Sequence, residues 1–242
     1  MKRILIVGGT SGIAIACARL WATAGDELIL VARDAQRLAQ VADDLRVRGA
    51  SAVETHVMDA TDLDAHAPML DAAGNIDIAL ISYGTLPDQK LCEADAVAAA
   101  QAMTTNATSV IALGTAVIGR MERQGRGTVA VISSVAGDRG RASNYVYGAA
   151  KAAVTTFCNG ARARLFGSGV HVMTIKPGFV DTAMTQNLNL PRALVAAPGQ
   201  VARRIVKGIE RKAAILYVPS WWRWIMLIIR VLPEPIFKRL KL

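Results

Sequence analysis

Aromatic side chains make up only 5% of the 242 residues, and there are three cysteines and three histidines. Cys17, Cys92 and Cys158 are scattered. No pair has CxxC spacing and none joins a histidine in a zinc-ligand pattern, so neither a structural disulfide nor a metal site is expected, and a reducing cytoplasm suits the chain. His56, His66 and His171 are equally far apart and read as ordinary core or surface residues. No signal peptide is expected, because Met1-Lys2-Arg3 leads into only ILIV before two glycines. Acidic residues almost vanish towards the end. Residues 192–242 carry 11 Lys and Arg against Glu210 and Glu234 alone, while residues 1–191 carry 17 of each sign. The whole net charge of +9 thus belongs to the last fifth of the chain. Three of the four tryptophans, at 221, 222 and 224, sit there too. A basic, Trp-rich end points to an anionic membrane surface rather than to nucleic acid.

What is abundant is apolar: 52% of residues, with a mean hydropathy of +0.32. That suffices for one large α/β domain. Short apolar runs at 2–7, 27–32, 53–57, 76–81, 128–132, 170–177 and 214–218 read as buried strands. Helical segments alternate with them, reaching about Ala24 and Arg48, near 62–73, over 93–119, after Ser134, and at 199–211. The alternation predicts a doubly wound, Rossmann-type parallel sheet in one domain, residues 1–218, followed by an amphipathic tail, 219–242. Residues 178–198 lack a period and read as a mobile lid.

In such sheets ligands bind beyond the C-terminal strand ends. Gly8, Arg33, Asp59, Gly84, Ser134 and Pro177 all fall there. GGTSGIA follows the first strand and opens a helix. Gly8 permits the tight turn, and Gly12 lets backbone approach a phosphate at the helix N-terminus. Ala14 stands where a third glycine is usual. The second strand ends Ala32-Arg33-Asp34. An acid is the usual choice for a ribose 2′-hydroxyl, whereas a guanidinium suits a 2′-phosphate. NADPH is therefore expected over NADH. The bland alternative is a solvated Arg33 with Asp34 as helix cap. Asn106, a poor mid-helix residue, lies inside an Ala-rich helical run. Tyr147 and Lys151 are four apart on one helix face, with Ser134 on the loop before them. The ammonium is expected to favour phenolate and lower the Tyr147 pKa from its ordinary value of roughly 10.

Taken together the Gly-rich loop, Asn106, Ser134, Tyr147, Lys151 and the run Pro177–Thr182 resemble a single-domain short-chain dehydrogenase/reductase over residues 2 to about 218. The resemblance implies that Tyr147 is the general acid in carbonyl reduction, or base in reverse. It implies that Lys151 holds the nicotinamide ribose, Ser134 bonds the substrate carbonyl, Asn106 positions a relay water and Thr182 meets the carboxamide. It further implies a cofactor lying against Gly8, Thr10, Ser11, Gly12, Ile13, Arg33, Asp59, Gly84, Tyr147, Lys151, Pro177, Gly178, Val180 and Thr182, and a homo-oligomer. Ile81-Ser82-Tyr83-Gly84 replaces the family's Asn-Asn-Ala-Gly, which puts contacts of the first Asn in doubt. Within the family, SNYVYGAAK is similar to reductases of decaprenylphosphoryl 2-keto-pentose, which implies a lipid-linked ketone. A soluble carbonyl, a 3-ketoacyl or ketosteroid substrate, and a non-catalytic NADPH-binding scaffold are the alternatives.

The tail has 13 residues between Pro219 and Pro233, too few for the roughly 20 that a membrane span needs. It is expected to lie in the membrane plane. Trp222, Ile225, Ile229 and Leu232 would face lipid, away from Arg223 and Arg230, with Lys238, Arg239 and Lys241 near headgroups. The alternative is a helix docked on the protein or on a sister subunit. The expected location is the cytoplasm, peripherally attached to a membrane.

Overall fold

The computed structural model describes residues 1–186 and 188–240. Its apolar runs form seven strands: β1 (Arg3–Val7), β2 (Glu27–Ala32), β3 (Ala52–Val57), β4 (Ile78–Ile81), β5 (Gly127–Ile132), β6 (Val170–Pro177) and β7 (Ile215–Val218). They make one parallel sheet in the order β3-β2-β1-β4-β5-β6-β7. The chain winds outward from β1 to β3, returns to the middle at β4, and winds outward the other way. The β1–β4 boundary is thus the switch point, where a crevice opens beyond the strand ends.

Successive strand residues point to opposite faces. Ile4, Ile6, Leu28 and Leu30 pack under α1 (Gly12–Thr23), α2 (Ala35–Val47) and α8 (Pro198–Glu210). Leu5, Val7, Ile29 and Val31 pack against α3 (His66–Ala73), α6 (Ser109–Gln124) and α7 (Tyr145–Arg164) on the other face. Burial on both faces explains why these strands read as continuous apolar runs rather than alternating ones.

The helical run expected over 93–119 is divided in three. The Asp95 carboxylate accepts from Val97 N at 2.8 Å, so α4 (Gln89–Ala94) stops and α5 (Ala96–Met103) begins there. A π-turn at Thr104–Thr108 then joins α5 to α6, which continues to Gln124 and ends on Gly125 at φ 72°. By length and composition the run Ala96–Gln124 is apolar enough to cross a membrane, but half of it is buried in the core. Helix α3 starts at His66, not near 62, because Asp59 accepts from Thr61 N at 2.9 Å and holds a turn there. After Gly178 the expected irregular segment is tied at both ends. Asp181 N donates to Ala196 O and Ala196 N donates to Phe179 O, both at 3.0 Å, with a 3-10 turn at Arg192–Leu194 between them.

The tail corrects an expectation. Helix α9 (Trp222–Val231) turns Trp222 and Met226 inward against Val135, joined by Phe179, Leu194, Tyr217, Ile225 and Ile229. The Phe179 and Trp222 rings meet edge-on at 5.2 Å. Arg139 clamps the far end. Its Nη1 donates to the carbonyls of Ile229 and Leu232, both at 2.6 Å, and its Nη2 donates to Glu234 at 2.8 Å. These bonds satisfy carbonyls that a helix end leaves unpaired. The Arg139 guanidinium also lies 3.7 Å over the Phe237 ring of α10 (Glu234–Phe237). The face assigned to lipid, Trp222 with Ile225 and Ile229, therefore packs on the protein. Trp221, Trp224, Leu227, Ile228 and Val231 are exposed instead. The spacing of Arg223 and Arg230 marks which face is buried, but periodicity does not tell a protein surface from a lipid one as its cover. Lys241 lies outside the described residues.

Candidate active site

The nucleotide end of the crevice is built from close backbone approaches. Gly8 has φ 86°, and a Cβ there would lie 2.7 Å from Tyr83 N, because the loop after β4 crosses directly beneath it. Ser11 caps α1, its hydroxyl accepting from Ala14 N at 3.2 Å, and it meets the Ser82 hydroxyl at 2.9 Å. A Cβ on Gly12 would sit 3.0 Å from Thr182 Cγ2, so the loop after β6 closes on the start of α1. The first turn of α1 carries no acid. Its free amides, its dipole and these side-chain-free approaches fit a pyrophosphate. Ala14 is fully buried and serves where a third glycine is usual.

At the outer end the Asp34 cap is formed and Arg33 lines the crevice. Asp34 accepts from Arg37 N at 3.0 Å, while Arg33 lies 3.8 Å from Asp59. Thr61, through its backbone N–H first and its hydroxyl next, holds the Asp59 carboxyl below its ordinary value, with a smaller push from Arg33. This exposed pair contributes little to stability. Arg37, in the first turn of α2, also lines the crevice.

The other end carries the reacting groups. Ser134 caps a 3-10 turn, Val135–Asp138, and that turn lies flat on α7 because two glycines permit it. A Cβ on Gly137 would be 2.7 Å from Ala152 N, and one on Gly148 would be 2.9 Å from Ala136 O. Ser133 ties the end of β5 to α7, donating to Lys151 O at 2.9 Å and meeting the Thr155 hydroxyl at 2.8 Å. These contacts bring Ser134 to Tyr147. Lys151 is 3% exposed; its Nζ donates to Ile132 O at 3.1 Å and lies 5.6 Å from the Tyr147 ring centre.

The expected pKa direction is reversed. Burial pushes the Tyr147 phenol up to about 12, with the Ser134 hydroxyl hydrogen bond opposing it. The same burial brings the Lys151 ammonium down to about 8. Loss of hydration dominates at both groups, and the ammonium is bonded to the β5 carbonyl.

Asn106 is fully buried in the π-turn. Its Oδ1 accepts from Thr85 N at 2.9 Å and its Nδ2 donates to Ala102 O at 3.0 Å. It lies behind Gly84, where a Cβ would be 2.7 Å from Asn106 Oδ1 and 3.5 Å from Lys151 Nζ. Asn106 thus braces the β4 loop beside Lys151 rather than lining the crevice.

A cleft of about 410 Å³ connects the two ends. Gly8, Thr10, Ser11, Gly12, Ile13, Arg33, Asp59, Gly84, Ser134, Tyr147, Lys151, Pro177, Gly178, Val180 and Thr182 all line it. Of the candidate catalytic and cofactor-binding residues named from the sequence, Asn106 alone does not. Sequence reasoning missed Arg37, Arg141 and Asn144, along with the apolar lining by Leu86, Phe179, Met184 and Leu188. Arg37 was accessible from the phase of α2. The others sit in loops without a period.

A family model described as short chain dehydrogenase matches residues 2–193. An uncharacterized oxidoreductase of Streptomyces coelicolor, from the mprA 5′ region, is 36% identical over 246 residues, covering 99% of this chain and 96% of its own. An uncharacterized oxidoreductase of Mycobacterium tuberculosis is 36% identical over 241 residues, covering 98% and 96%. The solved short-chain dehydrogenase of Sphingobium yanoikuyae in complex with NADPH superposes with a TM-score of 0.84 at 27% identity, over 97% of each chain. With the parallel sheet, the glycine cradle and the Ser134-Tyr147-Lys151 wall in place, these matches make the chain a member of the short chain dehydrogenase family.

Proposed function

We propose that this protein uses NADPH to reduce the ketone of a lipidic or lipid-linked substrate. The observation that carries the reading is the cleft itself: two arginines at one end and Ser134, Tyr147 and Lys151 at the other. Arg33 and Arg37, with Ala32 as the last residue of β2 and Asp34 engaged as the α2 cap, suit a 2′-phosphate by charge and by fork geometry. The Sphingobium relative is a complex with NADPH, which agrees. When bound, the nicotinamide supplies hydride to the carbonyl carbon. Ser134 donates a hydrogen bond that orients the carbonyl oxygen. Tyr147, whose pKa of about 12 keeps it protonated at neutral pH, gives its proton to that oxygen as negative charge develops there. Lys151 holds the ribose and offers an ammonium behind the phenol. Asn106 keeps the Gly84 loop in register beside it, and Thr182 meets the carboxamide.

Two features support a lipidic substrate. The far lining is apolar, through Leu86, Phe179, Met184 and Leu188. Helix α9, which packs on Phe179 and Leu194, exposes Trp221, Trp224, Leu227, Ile228 and Val231 beside Arg223 and Arg230. A Trp-rich apolar stripe among cations suits the interface of an anionic membrane, on its cytoplasmic side. The protein assembles as a homo-oligomer, as its family resemblance implies.

Tyr147→Phe should abolish NADPH oxidation with ketone panels while NADPH still binds; undiminished turnover ends the reductase reading. Trp224→Glu with Ile228→Glu leaves the docked face of α9 intact and should release the protein from vesicles of anionic lipid. Unchanged cosedimentation would remove the membrane reading and leave the enzyme a reductase of soluble carbonyls.

A further inference from the structure

Three polar atoms in the wall of the cleft have no use in the reaction described. Arg141 Nε, Arg141 Nη2 and Asn144 Oδ1 are shut off from solvent and have no hydrogen-bond partner among the described residues. Both residues line the cleft, in the loop that leads into α7 and therefore within six residues of Tyr147. Buried guanidinium nitrogens without an acceptor are costly, and proteins generally provide one. The carboxylate whose field reaches Arg141 is Asp138. It does not serve as that acceptor, because it is engaged by Lys176 and accepts from the Tyr217 hydroxyl at 2.8 Å. Asn144 caps α7 by position only, for its side chain bonds no helix amide. The backbone of this turn is meanwhile hydrogen-bonded: Asn144 N donates to Arg141 O at 3.1 Å, and Gly148 N to Asn144 O at 2.8 Å. The loop is therefore ordered by its main chain, while its two polar side chains are held ready.

We infer that Arg141 and Asn144 form a substrate subsite beside Tyr147 for a ketone that carries a phosphate or similar anionic oxygen group and a neighbouring hydroxyl. The guanidinium offers two parallel donors, the arrangement that matches a pair of anionic oxygens. The Asn144 carbonyl offers an acceptor, which an anion cannot use but a hydroxyl can. Lys176 compensates Asp138, so the nearby carboxylate does not repel the ligand. The subsite deepens the reductase reading and rests on it, since it lies at the substrate end only if Tyr147 is where the carbonyl binds.

The test is a binding measurement, so it stays separate from turnover. Full-length protein saturated with NADP⁺ is titrated calorimetrically with dihydroxyacetone phosphate and with dihydroxyacetone. Saturation keeps the phosphate ester away from Arg33 and Arg37. The phosphate ester should bind at least about ten-fold more tightly than the neutral ketone, as expected for a charge-assisted pair. Arg141→Ala should remove most of that preference and Arg141→Lys should keep part of it, with unchanged thermal unfolding showing that both are folded. Equal binding of the two ligands, absence of binding by the phosphate ester, or an Arg141→Ala protein that keeps the full preference each overturns the subsite. A second arm asks where the phosphate comes from. Displacement of the soluble ester by phosphatidic acid vesicles assigns the subsite to a lipid phosphate, and failure of displacement assigns it to a soluble one. Turnover by Tyr147→Phe would remove the reductase reading without touching these affinities.

Discussion

Replacing Gly148 by alanine tests whether packing of the 3-10 turn on α7 sets the geometry of Ser134 and Tyr147. The new Cβ would begin 2.9 Å from Ala136 O. A carbon–oxygen contact settles at about 3.3–3.6 Å, so the turn carrying Ser134 must withdraw by about 0.5 Å. Misplacement by about 1 Å is worth up to a hundred-fold in rate, so kcat should fall about ten-fold. Stability should change far less. Gly to Ala inside a helix contributes up to about 1 kcal/mol, and overpacking costs about 1–3 kcal/mol, leaving a net loss of about 0–2 kcal/mol. Steady-state kinetics at saturating NADPH, alongside urea unfolding, separates the two effects. A variant with native kcat would refute the idea that this contact positions Ser134. A variant that unfolds would show that the cost falls on the fold instead, which Gly148→Ser, with its similar bulk, would repeat.

Other outcomes are expected from the same geometry. Arg33→Ala with Arg37→Ala should weaken NADPH binding by roughly ten- to hundred-fold and leave NADH binding nearly unchanged, as read by fluorescence titration; equal losses for both nucleotides would remove the 2′-phosphate assignment. Burial lowers the Lys151 pKa to about 8, so its charge is present below that pH and lost above it. The kcat/KM for NADPH should be level up to about pH 8 and then fall by up to ten-fold per unit, and a profile without a break between pH 7 and 9.5 would contradict this. For stability the sign is opposite. Between about 8 and the unfolded value near 10.4 the unfolded chain binds the extra proton, so this group's contribution rises with pH. Trp222→Ala empties the pocket between Phe179, Val135 and Met226 and should cost about 3–5 kcal/mol, lowering Tm by on the order of 10 °C in a thermal scan.

The sheet was legible because its inner strands are buried on both faces: ILIV and ELILVA have no polar alternation to confuse them. The cofactor end was legible for a related reason. The Gly-rich loop carries its signal locally, between a strand end and a helix start, although the contacts that require Gly8 and Gly12 come from Tyr83 and Thr182, far off in the chain. Three things were not legible. The Tyr147 pKa depends on hydration lost at both Tyr147 and Lys151, and spacing along a helix reveals proximity but not burial. The orientation of α9 depends on Arg139, which is 90 residues from Ile229. The polar atoms of Arg141 and Asn144 reveal their lack of partners only once the loop is folded. Asn106 is intermediate: its poor fit to an ordinary helix marked it, and the π-turn is the physical form that misfit takes.

Arg139 stands five positions beyond Ser134 and grips the last carbonyls of α9. The C-terminus is consequently a poor handle for engineering. A purification tag, fusion partner or surface linker attached there would load a strut that ends beside the reactive serine, and would alter kinetics without touching a single lining residue. The opposite end, where Met1 is almost wholly exposed, is the place to attach one.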